Sequence, residues 1–136
     1  MIEKAVAVLD ASALLAVVYE EKGAERVEQS VGRGALMSTV NWAEALSRMS
    51  ELGEPVDLAA SRARRVVEKV GTLALLPFDE AQAEQVARLR VPTKSLGLSL
   101  ADRACLALGR IHRLPVLTTD RAWRSLHISV KIEVIR

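Results

Sequence analysis

Residues 95–120 constrain the fold more than any other stretch, because their pattern is that of a helix leading directly into a buried strand. Apolar residues recur at helical spacing after Ser99, and Asp102 falls in the first turn, three residues beyond this predicted N-cap. Pro115 ends the connection, and a short β-forming run then closes on Asp120. Open α/β sheets bind ligands at the carboxyl ends of their strands. The stretch therefore predicts a helix–strand unit with a carboxylate at each end.

Strand-like and helix-like segments alternate along the whole chain. Helices fill the intervals between five predicted strands, which cover residues 5–9, 35–37, 73–76, 116–119 and 130–135. This alternation predicts an α/β sandwich whose sheet of four to five strands is mostly parallel. With 136 residues and 50% hydrophobic side chains, we expect one domain spanning residues 1–136.

Charge and cysteine content narrow the class of protein. Charged residues interrupt every apolar run before it reaches the length that spans a bilayer, and the first ten residues lack the pattern of a signal peptide. The single cysteine, Cys105, excludes an internal disulfide and suits a reducing compartment. We therefore expect a cytoplasmic protein without a membrane segment.

The net charge of +2 conceals a strong asymmetry between the two parts of the chain. Residues 1–60 contain 5 Lys or Arg against 10 Asp or Glu, whereas residues 61–136 contain 14 against 7. Solvated helix faces are the ordinary explanation for arginine runs. The asymmetry also permits a basic surface for a polyanion beside an acidic pocket.

Four acidic residues stand out because each follows a predicted strand or begins the helix next to one: Asp10, Glu44, Asp102 and Asp120. The carboxyl ends of parallel strands share one edge, so the four side chains are predicted to meet there. Two carboxylates ~5 Å apart repel by roughly 3 kcal/mol at an effective dielectric of ~20. Such a cluster needs a cation, and carboxylate ligands favour Mg²⁺ or Mn²⁺.

Each acid also has a purely structural interpretation. Asp102 completes a capping box with Ser99, Asp120 can cap a following turn, and Glu44 can be a solvated helix residue. The first helix can be capped by Asp10 or by Ser12. Only the predicted convergence of all four favours a site.

Polar neighbours support the site interpretation. Ser12 follows Asp10 by two residues, Asn41 lies one helical turn before Glu44, and Thr119 precedes Asp120. Hydroxyl and amide groups can hold metal-bound water or a phosphate. A carboxylate-bound Mg²⁺ beside a basic surface suits hydrolysis of phosphodiesters.

Four segments carry a resemblance to a known family: VLDASALLAVVYEE, STVNWAEAL, LGLSLADRACLALGRIHRLPVLTTD and the terminal VKIEVI. Together they resemble the PIN-domain ribonucleases, particularly VapC-type toxins of bacterial toxin–antitoxin operons, over nearly the whole chain. The resemblance implies a PIN-like three-layer α/β/α sandwich. It also implies that the catalytic and metal-binding acids are Asp10, Glu44, Asp102 and Asp120.

The resemblance further implies that Ser12 and Thr119 assist as polar helpers, although the T-T-D sequence leaves open whether Thr118 takes that part. Asn41 is either a site residue or a helix-start residue. The implied function is a homodimeric, Mg²⁺- or Mn²⁺-dependent endoribonuclease that a cognate antitoxin protein holds silent. Such antitoxins lie in an apolar groove, which here would be lined by Leu14, Leu15, Val18 and Tyr19.

Two other interpretations are weighed against the ribonuclease. A phospho-receiver signalling domain is also a small α/β sheet with acids at strand ends, but it needs an acidic pair near the first strand and a lysine at the end of a late strand. The chain has a single Asp10, and its late lysine, Lys131, falls within the last predicted strand. The second alternative is a PIN-like module that binds a partner without catalysis, against which the presence of all four acids argues.

Overall fold

A computed structural model describes residues 4–136 of the chain. Five strands and six α-helices follow one another, together with short 3-10 helices at Lys94–Leu96 and Arg121–Ser125. The strands are β1 (Ala7–Leu9), β2 (Ala35–Ser38), β3 (Leu73–Leu76), β4 (Val116–Thr118) and β5 (Ile132–Val134). The helices are α1 (Ala11–Val18), α2 (Ala24–Arg33), α3 (Thr39–Glu51), α4 (Val56–Glu68), α5 (Glu80–Arg88) and α6 (Leu100–His112).

All five strands are parallel and form one sheet in the order β3-β2-β1-β4-β5. The prediction of a mostly parallel sheet of four to five strands is confirmed. The predicted edge strand at 130–135 is shorter, because only Ile132–Val134 pair with β4. Lys131 therefore lies just before this strand, at the edge where the strands begin, and the prediction that it lies within the strand is wrong.

Helices cover both faces of the sheet, as the three-layer prediction requires. Successive side chains of β1 point to opposite faces, so Ala7 and Leu9 join one apolar cluster and Val8 joins the other. The first cluster contains residues of α1, α2, α3 and α4, whereas the second is built mainly by α5 and α6. Strands that are buried on both faces have the continuous apolar sequences seen here.

Two helix starts show how local sequence determines the position of an acid. In α6, Ser99 and Asp102 form the predicted capping box, in which each side chain accepts a hydrogen bond from the backbone N–H of the other. In α1, the cap is Asp10, whose side chain accepts from the backbone N–H of Ala13. Ser12 lies inside the first turn, so the alternative that it caps α1 is wrong.

The turn before β3 depends on a close approach of two backbones. Gly71 packs against the last turn of α2, and a Cβ at this position would lie 2.1 Å from the carbonyl oxygen of Val31. The same carbonyl accepts a 3.0 Å hydrogen bond from the backbone N–H of Thr72. Gly32, within α2, can accept a Cβ instead, since the added atom would lie in ordinary van der Waals contact, 3.7 Å from the carbonyl oxygen of Val70.

We predict that Gly71→Ala lowers the free energy of unfolding by roughly 1–3 kcal/mol, because the added methyl group forces the turn away from α2. Gly32→Ala is the matched control and should be neutral or stabilise by about 0.5–1 kcal/mol, as expected for alanine in a helix. Guanidinium chloride unfolding curves measure both effects. Equal stability of the two variants would contradict the packing described here.

Candidate active site

Four predicted site residues lie along the edge of the sheet where the strands end. Asp10 follows β1 directly, and Asp120 follows β4 by two residues. Glu44 lies in the second turn of α3, the helix that continues from β2. Asp102 occupies the first turn of α6, whose start adjoins α3. The fold therefore brings the four residues to one edge, although they differ in depth and in contacts.

Asp10 is the buried centre of the site, with 7% of its surface exposed. One carboxylate oxygen, Oδ1, accepts hydrogen bonds from the Ser12 hydroxyl at 2.7 Å and from the Ala13 backbone N–H at 2.8 Å. The other, Oδ2, accepts from the Thr118 hydroxyl at 2.5 Å. Both oxygens are therefore held in fixed orientations by groups from α1 and β4.

The two hydroxyl groups that contact Asp10 also join the ends of two strands. Ser12 Oγ accepts a 2.9 Å hydrogen bond from the backbone N–H of Thr119, and Thr118 Oγ1 accepts one of 3.1 Å from that of Asp120. The threonine side chain that reaches Asp10 is thus that of Thr118, and Thr119 contributes its backbone. Sequence reasoning left this choice open, because only the register of β4 decides which side chain faces β1.

Asp102 lies close enough to Asp10 and to Glu44 for its charge to raise the pKa of both. The pKa of Asp10 rises from 3.8 to about 6, mainly because the group is buried; three hydrogen bonds lower the pKa, and the charge of Asp102 makes the smallest contribution. Burial also raises the pKa of Glu44, which Arg48 lowers and Asp102 raises. Asp102 is therefore the charge that both other acids sense, as convergence of the three predicts.

Asp120 lies at the exposed rim of this cluster. Its side chain accepts a 3.0 Å hydrogen bond from the backbone N–H of Ala122, so it caps the short 3-10 helix that follows β4. The cap that we considered from sequence is present. In the arrangement described here, Asp120 is a peripheral member of the acidic cluster, whereas Asp10 is its centre.

Asn41 joins the two helices that carry Glu44 and Asp102. It is 1% exposed, and its side-chain amide donates a 2.9 Å hydrogen bond to the carbonyl oxygen of Ala101, the residue before Asp102. Its own carbonyl oxygen, Oδ1, is buried without a partner among residues 4–136. The contact holds α3 against the first turn of α6, and therefore positions the two acids relative to each other.

The same residues have the donor chemistry of a metal site. Within residues 4–136, no three His, Cys, Asp or Glu side chains approach closely enough to form a ready-made metal site. The donors nevertheless fit a hard divalent cation, since the cluster consists of carboxylates and hydroxyls, and repulsion by Asp102 adds to the burial that raises the pKa of Asp10 and of Glu44. A bound cation would remove that repulsion and draw the carboxylates together.

A groove of about 450 Å³ opens beside the acidic cluster and shares Ser12 and Thr119 with it. Its apolar lining comes from Leu15, Tyr19 and Leu52, and its remaining residues are Glu21, Arg48, Glu51 and Arg136. This groove contains Leu15 and Tyr19, two of the four residues that the sequence analysis assigned to an apolar groove. Sequence analysis missed Leu52, which is 71% exposed and has no apolar periodicity to mark it as functional.

Two residues assigned to this groove from sequence lie elsewhere. Leu14 is fully buried and Val18 is 5% exposed, and both belong to the apolar cluster beneath the sheet face. Because α1 is buried on nearly all sides, most of its apolar side chains pack in the core and do not reach the surface. The prediction that Leu14 and Val18 line the groove is therefore wrong.

The fold and the acidic edge together define a class of protein: a small α/β domain with carboxylates gathered at the carboxyl ends of parallel strands. The sequence pattern of the PIN domain matches residues 7–128. The chain belongs to the PIN-domain family, as its sequence motifs predicted. No curated protein matches it significantly in sequence.

Solved structures with the same fold include toxin–antitoxin complexes. The chain superposes on VapBC2 from Rickettsia felis, bound to a promoter DNA fragment, with a TM-score of 0.73 and 11% identity, covering 94% of this chain and 97% of that chain. FitAcB from Neisseria gonorrhoeae superposes with a TM-score of 0.67 and 22% identity, covering 93% of this chain and 96% of that chain. VapBC-5 from Mycobacterium tuberculosis superposes with a TM-score of 0.57 and 24% identity, covering 97% of this chain and 98% of that chain. At these identities the likeness establishes the fold.

The raised pKa of Asp10 predicts how the stability of the metal-free protein depends on pH. The folded state retains a proton that the unfolded state releases near pH 3.8, so wild-type stability falls between pH 3.8 and about 6 and is level above. The Asp10→Asn variant has no carboxylate to ionise at this position, so it avoids this loss of folding stability, which is about 3 kcal/mol. In chelator at pH 7.5 the variant should therefore melt at a higher temperature than wild type, and the difference should disappear below pH 4.

Asp79→Asn provides the matched control for this measurement. Asp79 also caps a helix, α5, through the backbone N–H of Gln82, but it is exposed. Because asparagine and aspartate are similar as N-caps, this variant should change the melting temperature little at any pH. An Asp10→Asn protein that is less stable than wild type at pH 7.5 would contradict the cost of burying this charge.

Proposed function

We propose that this protein is a metal-dependent endoribonuclease and the toxin of a toxin–antitoxin pair. The observation that carries the proposal is the buried Asp10, held by two hydroxyl groups and within electrostatic reach of Asp102 in a PIN domain. PIN domains are typically nucleases that use a divalent metal, and three carboxylates at one sheet edge supply the charge such a metal needs.

The proposed metal ligands are Asp10, Glu44 and Asp102, with Asp120 at the rim. When bound, Mg²⁺ or Mn²⁺ would activate a water molecule and stabilise negative charge on the phosphate oxygens. The chain's own polar groups prepare this site. Ser12 and Thr118 fix the orientation of the Asp10 carboxylate, so little reorganisation is needed when charge changes nearby.

Two contacts bear on the competing functions. A phospho-receiver needs a lysine at the carboxyl edge of a late strand, but Lys131 precedes β5 and therefore lies at the opposite edge from Asp10. A PIN-like module without catalysis would not require an oriented carboxylate, whereas Asp10 is held by three hydrogen bonds. Both observations favour the nuclease.

We predict that Asp10→Asn or Asp102→Asn reduces Mg²⁺-dependent RNA cleavage by at least about 100-fold, because each removes a charge from the metal site and preserves its shape. Asp57→Asn, in the exposed first turn of α4, is the control and should cleave at the wild-type rate. Cleavage of a fluorogenic RNA, with circular dichroism to verify folding, measures all three. Wild-type activity in Asp102→Asn would refute the assignment.

We further propose that a cognate antitoxin occupies the groove formed around Leu15, Tyr19 and Leu52. The groove joins the acidic cluster through Ser12 and Thr119, so a partner bound there would cover the site. The complexes crystallised from Rickettsia felis and Neisseria gonorrhoeae support the idea of such a partner. An apolar segment with a basic residue suits the apolar lining and the acids beyond it.

Leu52→Asp should weaken binding of the antitoxin by at least about tenfold, since it places a charge against an apolar segment. Leu58→Asp is the matched control, because Leu58 is 65% exposed and lies outside the groove. Co-expression of each variant with the antitoxin, followed by affinity purification and titration calorimetry, gives the comparison. Undiminished binding by Leu52→Asp would place the antitoxin elsewhere.

The assembly and location remain proposals as well. We propose that residues 1–136 act as a single domain in a cytoplasmic homodimer. Val91 and Leu100 are 79% and 56% exposed near the packed pair α5 and α6, and they provide apolar surface that a second copy could cover. Within residues 4–136, no helix is long and apolar enough to cross a membrane.

A further inference from the structure

The edge of the sheet opposite the acidic cluster carries a row of positive charges. One basic residue lies within four positions before each strand, and these five residues, here called the basic row, are Lys4, Arg33, Lys69, Arg113 and Lys131. The sequence permitted a basic surface beside an acidic pocket; the basic row instead lies at the opposite ends of the same strands from the acids.

The sheet hydrogen bonds determine the order of the basic row. Backbone hydrogen bonds link the segments before β2, β1, β4 and β5 in that order. The N–H of Val6 donates to the carbonyl of Gly34, that of Val8 to the carbonyl of Pro115, and that of Val116 to the carbonyl of Lys131. Because neighbouring strands are about 4.8 Å apart, five strand starts span roughly 19 Å. The row is therefore a consequence of the topology, although its members are far apart in sequence.

The five side chains are all exposed, and none forms an ion pair or a side-chain hydrogen bond within residues 4–136. Other arginines of the chain are neutralised, such as Arg26 by Glu133 and Arg62 by Glu54. The C-terminal turn of α6 adds the positive charge of Arg110 to this edge. An acid, Glu68, lies beside Lys69 at the end of α4.

Helix dipoles explain only part of this arrangement. Arg33, Lys69 and Arg113 stand at the ends of α2, α4 and α6, where a positive charge is favourable. Lys131 follows no helix of this kind. Arg113 also adopts φ 55°, a left-handed conformation that glycine would adopt without strain.

We infer that the basic row binds the phosphodiester backbone of an RNA that extends beyond the segment held at the acidic edge. The inference rests on the proposed ribonuclease function. Phosphates are repelled by the carboxylates around Asp10, so an RNA substrate gains from cations elsewhere on the protein. The strands separate the two edges by about 10–13 Å of backbone. Helices cover both faces of the sheet, so an RNA held at both edges must pass around these helices and therefore extends well beyond the acidic edge.

RNA binding in chelator tests the inference without any cleavage. The probes are fluorescein-labelled oligouridylates of thirty and five nucleotides, whose affinities are measured by anisotropy at several salt concentrations. The test variant is R33Q/R113Q/K131Q. The matched control, K22Q/R65Q/R88Q, removes the same net charge from exposed residues outside the row.

The test variant should bind the thirty-nucleotide RNA at least about tenfold more weakly than wild type at low salt. Its slope of log K against log[salt] should also be shallower by about 2, because each of the three lost phosphate contacts contributes ~0.7. The control should resemble wild type with both RNAs, and the five-nucleotide RNA should bind every protein more weakly than the long RNA because it contacts fewer phosphates. Equal losses in both triple variants would mean that only net charge matters, and would overturn the inference. So would unchanged binding by the test variant, or binding to phosphatidylserine vesicles in place of RNA.

Arg113→Gly separates a binding role from a stabilising one. Because glycine relieves the left-handed conformation, the variant should be at least as stable as wild type to heat, yet bind the long RNA more weakly. Weaker binding accompanied by lower stability, or undiminished binding, would contradict the role assigned to this arginine. If the predicted binding pattern holds but metal-loaded protein cleaves no RNA, the basic row stands and the nuclease proposal fails.

Discussion

The burial of one carboxylate underlies the candidate site. Asp10 must follow β1 to cap α1, and this position places its charge at the centre of the domain with 7% of its surface exposed. Three hydrogen bonds offset part of the cost of burial, but its pKa still rises to about 6. Other features of the edge, including the hydroxyl groups of Ser12 and Thr118, serve to hold this one group in place.

In this parallel sheet, the position of a charged residue before or after a strand decides at which edge of the sheet its charge lies. Since all strands run in one direction, residues that follow strands collect at one edge and residues that precede them collect at the other. Asp10 and Asp120 belong to the first set, together with Arg136, whereas a lysine or arginine precedes every strand. A molecule with a small net charge can thus present an acidic cluster at one edge and a basic row at the other.

Sequence reasoning succeeded where a local rule operates. The capping box of Ser99 and Asp102 and the strand β3 were both recognisable from neighbouring residues. It failed where two rules competed. Asp10 and Ser12 are both good caps. Only the packing of β1 against β4 decides that Asp10 caps α1, whereas the Ser12 hydroxyl donates a hydrogen bond to Asp10 and accepts one from the backbone N–H of Thr119.

By itself, the sequence determined the class of fold, the positions of the acids along the chain and the family, because periodicity, caps and motifs each depend on residues that are close together in the chain. Only the tertiary structure decided that Thr118 is the threonine that contacts Asp10, that Asn41 joins α3 to α6, and that Leu14 is core. Each depends on strand register or helix packing. These are contacts between residues distant in the chain, which no local pattern specifies.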